Sequence, residues 1–109
     1  MTNFISTGST YWISDEEIQI FEKNTTNGDK NSAFKLYQYH MFVSVDQDLE
    51  FKWLEIAAKN GHPIAQSNLA DLFFTQGNRE KAIFWAKKAY RNGAKLPDLS
   101  LIHISEPTR

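Results

Sequence analysis

The side chains able to do chemistry are few and poorly placed for it. The chain has three histidines (His40, His62 and His103) and no cysteine. Zinc sites draw two ligands from one helical turn or from a short His-x-Glu arrangement, and no pair of these histidines has such spacing. His40 shares a helical face with Leu36, which suits a packed boundary histidine better than a ligand, and His62 precedes Pro63 at a turn, where it reads as local structure. Asp46-Gln47-Asp48-Leu49-Glu50 has the acidity of a calcium loop but lacks the glycine at the sixth position and the glutamate at the twelfth. Carboxylates at a helix N-terminus, facing the positive end of its dipole, explain it better. No glycine-rich phosphate loop, nucleophile elbow or Cys/His arrangement is present. These absences predict a protein that is not an enzyme and needs no cofactor and no metal.

Composition narrows the class further. Twelve Lys and Arg against thirteen Asp and Glu leave a formal net charge of −1, so no basic field exists to hold phosphate backbones and nucleic acid is not an expected partner. No apolar run approaches the roughly 20 residues of a membrane helix. Met1 to Tyr11 lacks the basic and apolar regions of a signal peptide. Together with the missing cysteines, this predicts a cytoplasmic protein with no membrane partner. Asn24-Thr25-Thr26 fits a glycosylation pattern but reads as a helix end.

The elements that position these residues are helices. Ser14 followed by Glu17 has the spacing of a capping box, and Ile13 with Ile18 that of a hydrophobic staple, so a first helix is predicted from about Asp15 to about Asn24. A second runs from about Asn31 to about Val43, with Ser32, Leu36, Tyr39 and His40 on one face. Asp46 or Gln47 opens a third that carries Leu49, Trp53, Ile56 and Ala57 inward and ends at Gly61. Pro63 opens a fourth, striped with Ala65, Leu69, Leu72 and Phe73, which stops near Gly77. Asn78 caps a fifth with Ala82, Trp85 and Ala89 inward, ending at Gly93. No stretch alternates with period two, so no sheet is expected. Short loops between helices force antiparallel neighbours.

An internal repeat organises these helices. Trp53-x-x-x-Ala57-x-x-Asn60-Gly61 matches Trp85-x-x-x-Ala89-x-x-Asn92-Gly93, with eight residues from tryptophan to glycine in both. Asn27-Gly28 lies 33 residues before Asn60-Gly61, which lies 32 before Asn92-Gly93. In this frame Leu36 matches Leu69 and Ser32 matches Ala65, while Ile20 and Asn24 stand where the tryptophans and alanines stand. Helix pairs with more apolar face than each can bury alone stack and share a core. The small residues Ala57, Ala65 and Ala89 then permit close approach, and both tryptophans are expected inside. The first helix reads as a diverged N-terminal cap.

The segment Gly61-His62-Pro63-Ile64-Ala65-Gln66-Ser67-Asn68-Leu69-Ala70 resembles the first helix of a Sel-one-like repeat, a relative of the tetratricopeptide repeat, and Phe51 to Gly61 resembles that family's second helix. The match covers about residues 27 to 98. It departs from the family at Tyr37 and Ala70, where a glycine usually follows the helix-one leucine, and in the missing His-Pro pair of the first repeat. The resemblance implies an all-α fold, an α/α solenoid of two antiparallel helix pairs plus an N-terminal capping helix, whose inner surface binds a protein or peptide. It further implies a bacterial adaptor or an immunity-type partner of a toxin.

Residues 99 to 109, Leu-Ser-Leu-Ile-His-Ile-Ser-Glu-Pro-Thr-Arg, resemble the in-frame translation of a transposase-type sequencing-library adaptor. The expected organisation is therefore a loosely ordered segment over 1–13, the repeat domain over 14–98 and a non-native tail over 99–109.

With Leu36 and Leu69 inward on a 100° wheel, Phe34, Gln38 and Met41 fall on the outer phase of one helix, and Ser67, Asp71 and Phe74 on that of its counterpart. Two readings stay open: packing on neighbouring helices or repeats, or a contact surface. The second makes Phe34, Gln38, Met41, Asp71 and Phe74 the expected partner-binding residues. The function expected is protein–protein interaction. The rival is a scaffolding or regulatory portion of a larger enzyme.

Overall fold

The computed structural model describes residues 11–94. Within them the chain forms helices α1 (Asp15–Thr26), α2 (Lys30–Phe42), α3 (Gln47–Lys59), α4 (Pro63–Thr75) and α5 (Arg79–Arg91). No strand occurs among the described residues. The fold is all-helical.

Each helix begins on a side chain that accepts from its first turn, where backbone N–H groups have no intrahelical partner. Ser14 Oγ accepts from the Glu17 N–H at 3.2 Å, and the Glu17 carboxylate accepts from the Ser14 N–H at 2.9 Å, completing the capping box. Asp29 accepts from the Asn31 and Ser32 N–H groups and also receives the Ser32 hydroxyl. Asp46 and Asn78 cap α3 and α5 in the same way. The acidic run at residues 46–50 is thus a helix start.

Four helices end alike. At the end of α3, Gly61 has φ +103°, its N–H donates to Ala58 O at 3.1 Å, and the His62 N–H donates to Ala57 O at 3.0 Å. That pair of bonds satisfies two orphan carbonyls and requires the left-handed backbone that glycine adopts without penalty. The same two bonds recur after α1, α4 and α5. The exception is α2, where no glycine is available and Val45 takes φ +53°. A β-branched residue there is strained. Val45 is 71 % exposed, so its side chain gives little packing in return. Val45→Asn is expected to raise stability by roughly 1 kcal/mol, measured as a higher midpoint in chemical denaturation. A lower midpoint would mean that the valine side chain, not the backbone, decides this turn.

Packing is organised by pairs. α2 lies chiefly against α3 and α4 chiefly against α5, with less extensive contact between α3 and α4 and between α1 and α2. The repeat equivalences are equivalences of burial: Leu36 and Leu69 are fully buried, as are Ala57, Ala65 and Ala89. Ser32, the counterpart of Ala65, is buried too. A methyl-sized side chain at these positions lets neighbouring backbones close on one another.

Several expectations need correction. Trp53 is buried, but Trp85 is only half-buried at the edge of the core. The reason is position: α3 has extensive contact with both α2 and α4, whereas the extensive contact of α5 is with α4. Ile20, in the tryptophan frame, is 55 % exposed. The buried residue of α1 is Thr25, one place beyond Asn24 in the alanine frame: α1 packs chiefly on α2, and the Thr25 carbonyl accepts from Asn60 Nδ2 at the end of α3. The helix itself runs to Thr26, two residues past the predicted end. Of the expected loose segment, Tyr11 stacks on Phe42 at 4.4 Å and Ile13 is buried against the core. Residues 1–10 and the tail over 99–109, with His103, lie outside the described residues.

Candidate functional site: an acid-rimmed groove across three helices

Side chains one turn apart on a helix share a face. On α2, Tyr37 and Met41 have that spacing; on α3, Glu50 and Leu54; on α4, Asn68, Asp71, Leu72 and Thr75. These eight residues line one open groove of about 500 Å³. It continues along α3 into a second depression of about 380 Å³ that shares Glu50, Leu54 and Leu72 and adds Gln47, Asp48, Phe51 and Gln76. The floor is apolar, with Leu54 and Tyr37 buried and Leu72 and Met41 packed on the core. The rim carries the carboxylates of Asp48, Glu50 and Asp71, and among the described residues no lysine or arginine lines it.

Tyr37 fixes the shape of the groove. Its ring is buried, and its hydroxyl accepts from Asn68 Nδ2 at 3.3 Å, tying α2 to α4. Burial pushes its phenol above the ordinary value of 10.0, the Asn68 bond opposes this, and the Glu50 charge adds to it. The hydroxyl is therefore protonated at neutral pH and remains available as a donor at the groove wall.

The two described histidines are structural. His62 is the N-cap of α4: its Nδ1 accepts from the Ala65 N–H at 3.3 Å, and its ring stacks on Phe34 at 4.0 Å. His40 pairs Nδ1 with Ser44 Oγ at 2.8 Å. Burial lowers both below the ordinary 6.5; at His40 the Asp46 and Glu22 charges partly oppose this, and at His62 the Lys30 charge reinforces it. No cluster of three or more metal-ligating side chains occurs among the described residues.

Those two shifts have a pH consequence. Well above 6.5 both histidines are neutral whether the chain is folded or not, so their contribution to stability is fully present. As pH falls below 6.5, the unfolded chain takes up protons first, and stability is lost until the pH has passed through the folded values. The thermal midpoint is expected to be flat above neutrality and to fall in the acid range just below it. His62→Asn, which keeps a capping acceptor without the titration, should flatten part of that fall. An unchanged slope in this variant would show that His62 titrates freely in the folded protein.

The expected contact residues divide. Met41 and Asp71 come together on the groove, from α2 and α4. Phe34, Gln38 and Phe74 do not line it. Phe34 and Phe74 are half-buried and packed against the core, not free on the outer phase. The buried stripe of α2 is centred between Ala33, Leu36, Tyr37 and His40, and that of α4 between Ala65, Gln66, Leu69, Ala70 and Phe73, which brings the flanking phenylalanines partly under cover. Tyr37, Glu50, Leu54, Asn68 and Leu72 escaped sequence reasoning as site residues. The available signal was Tyr37 itself, a large aromatic where the resembled repeats have glycine.

No protein-family model matches the chain, and no solved structure matches it significantly. The chain is similar to "Uncharacterized protein YibG" of Escherichia coli (strain K12), with 33% identity over 95 residues, covering 81% of this chain and 62% of that protein. It thus spans less than two thirds of the length of the relative it matches.

Proposed function

We propose that this chain is a protein-binding module built from Sel-one-like helix pairs, α2/α3 and α4/α5, stacked as a short solenoid with α1 as its cap. Its work is recognition of a protein or peptide, without catalysis, metal or nucleic acid. The observation that carries this is the groove: an apolar floor with a polar rim, open to solvent, made jointly by α2 and α4, the helices that begin the two pairs, with α3 between them. Contact sites combine such a floor with polar groups that set orientation. The register of Leu36 with Leu69 and of Ala57 with Ala89 in burial supports the stacking.

The test is a selection of displayed random peptides on the full chain, followed by affinity measurement on two groups of variants. Thr75→Trp fills the groove from an exposed position, and Met41→Ala thins its floor. Phe34→Ala and Phe74→Ser probe the flanking aromatics. Selected peptides are expected to lose tenfold or more in affinity, about 1.4 kcal/mol, on Thr75→Trp. Loss on the phenylalanine variants alone, with their melting unchanged, moves the site to the flank. Binders indifferent to all four variants, or no binders at all, overturn the reading.

A further inference from the structure

Charge and shape in the groove agree on one kind of occupant. Three carboxylates, Asp48, Glu50 and Asp71, stand around the apolar floor, and Asp48 and Asp71 are exposed. Among the described residues, no cation lines the groove to neutralise them. The chain as a whole is nearly neutral, with a net charge of −1, so this single-sign rim is a local arrangement and not a reflection of bulk acidity. A neutral or acidic apolar segment seated on Leu54, Leu72 and Met41 would leave those carboxylates beside a low-dielectric surface with no counter-charge, an unfavourable position for a charge. A segment bringing lysine or arginine to the rim would meet them.

The lengths fit. The groove and its extension run along α3 from Gln47 to Leu54, two helical turns or about 10 Å. Carboxylates on both α3 and α4 flank the floor, so cations on either side of an apolar ridge are answered together. Long basic side chains suit such a site, because their methylene stems lie on apolar surface while the charged head reaches the rim.

Building on the reading of the chain as a binding module, we propose that the groove of α2, α3 and α4 takes a basic amphipathic peptide segment, in which an apolar ridge seats on Leu54, Leu72 and Met41 and flanking lysine or arginine side chains pair with Glu50, Asp71 and Asp48. The acidic rim selects the partner, and the floor holds it.

Two synthetic peptides of identical leucine pattern test this, one with lysine and the other with glutamate at every polar position. Fluorescence anisotropy with the full chain at low salt is expected to show the Leu/Lys peptide binding about tenfold more tightly than its Leu/Glu counterpart. That advantage should shrink as salt screens the rim. A lysine peptide without leucines should bind weakly, since charge alone does not seat it. The Glu50→Lys/Asp71→Lys variant should reverse the preference. Equal binding of the two peptides, or a preference unchanged by the double variant, overturns the basic partner. If displayed peptides still compete for the groove in that case, the binding module stands and only the partner's charge was misassigned. Asp71 is exposed and Glu50 lies in the acidic first turn of α3, so the double variant should stay folded with a modestly lower melting temperature. Should it instead unfold, Asp71→Asn and Glu50→Gln tested singly must each narrow the Leu/Lys advantage, and failure to do so is equally decisive against the proposal.

Discussion

Trp53→Ala is expected to lower the unfolding free energy by roughly 3–5 kcal/mol, and Trp85→Ala by clearly less. The two residues occupy the same place in the repeat, yet Trp53 is 6 % exposed and Trp85 only half-buried. α3 is held between α2 and α4, so truncating Trp53 opens a void that both neighbours would have to close. Around Trp85 the missing volume lies partly in solvent. Trp53 carries a further peculiarity: its indole Nε1 is buried with no hydrogen-bond partner. An unsatisfied donor costs free energy, so Trp53→Phe, which removes the donor and keeps most of the ring, should cost far less than the alanine variant. Denaturant titrations of the three variants against the parent read all of this. Equal losses at positions 53 and 85 would show that α5 is covered on its far side in solution.

Gln66→Ala should cost roughly 2–4 kcal/mol, a large effect for a polar residue. Gln66 is among the largest fully buried side chains, at 1 % exposure. Its Nε2 donates to Ala58 O at 3.0 Å and its Oε1 accepts from Asn92 Nδ2 at 2.9 Å. The end of α3 is thereby stitched through α4 to the end of α5. The counterpart one repeat earlier is direct: Asn60 Nδ2 donates to Thr25 O at 3.4 Å. Thr25 and Ala58 hold the same place before their glycines, so the same carbonyl is engaged twice, once by asparagine alone and once by asparagine through glutamine. Gln66→Leu restores volume without the bonds, and Ala58 O keeps the Gly61 N–H at 3.1 Å, so this variant should recover much of the loss. A double-mutant cycle of Gln66→Ala with Asn92→Ala, read in denaturant, should give a coupling energy near 1 kcal/mol. Strict additivity would show that the stitch contributes nothing to stability.

Local signals carried most of the secondary structure. Ser14 with Glu17, Pro63 after His62, and glycines 61, 77 and 93 marked helix ends because capping is decided within a few residues of chain. The end of α2 was read to within a residue without a glycine to mark it, while the strained turn at Val45 that follows was not. Leu36, Leu69 and the alanines were legible as core because a repeat offers each position twice.

The candidate groove was legible only in part. Met41 and Asp71 were named from helical phase, but the phase was set on Leu36 and Leu69 alone, and the true buried stripes are broader. That breadth tucks Phe34 and Phe74 against the core and turns Tyr37 toward the groove wall. The role of α3 could not be read in this way, because Glu50 and Leu54 join the site only when α3 lies against both α2 and α4.

What the sequence by itself determined is the set of five helices among the described residues, the caps at Ser14 and Asn78, the repeat frame and the absence of a recognisable catalytic or metal motif. These follow from backbone hydrogen bonding and hydrophobic period, which act over one or two turns. Only the tertiary structure decided which of two equivalent tryptophans is buried, that Gln66 is a core residue, and that three carboxylates from separate helices surround one apolar floor. Burial and shared electrostatic fields depend on which helices become neighbours, and α1 to α5 acquire neighbours only when the pairs pack.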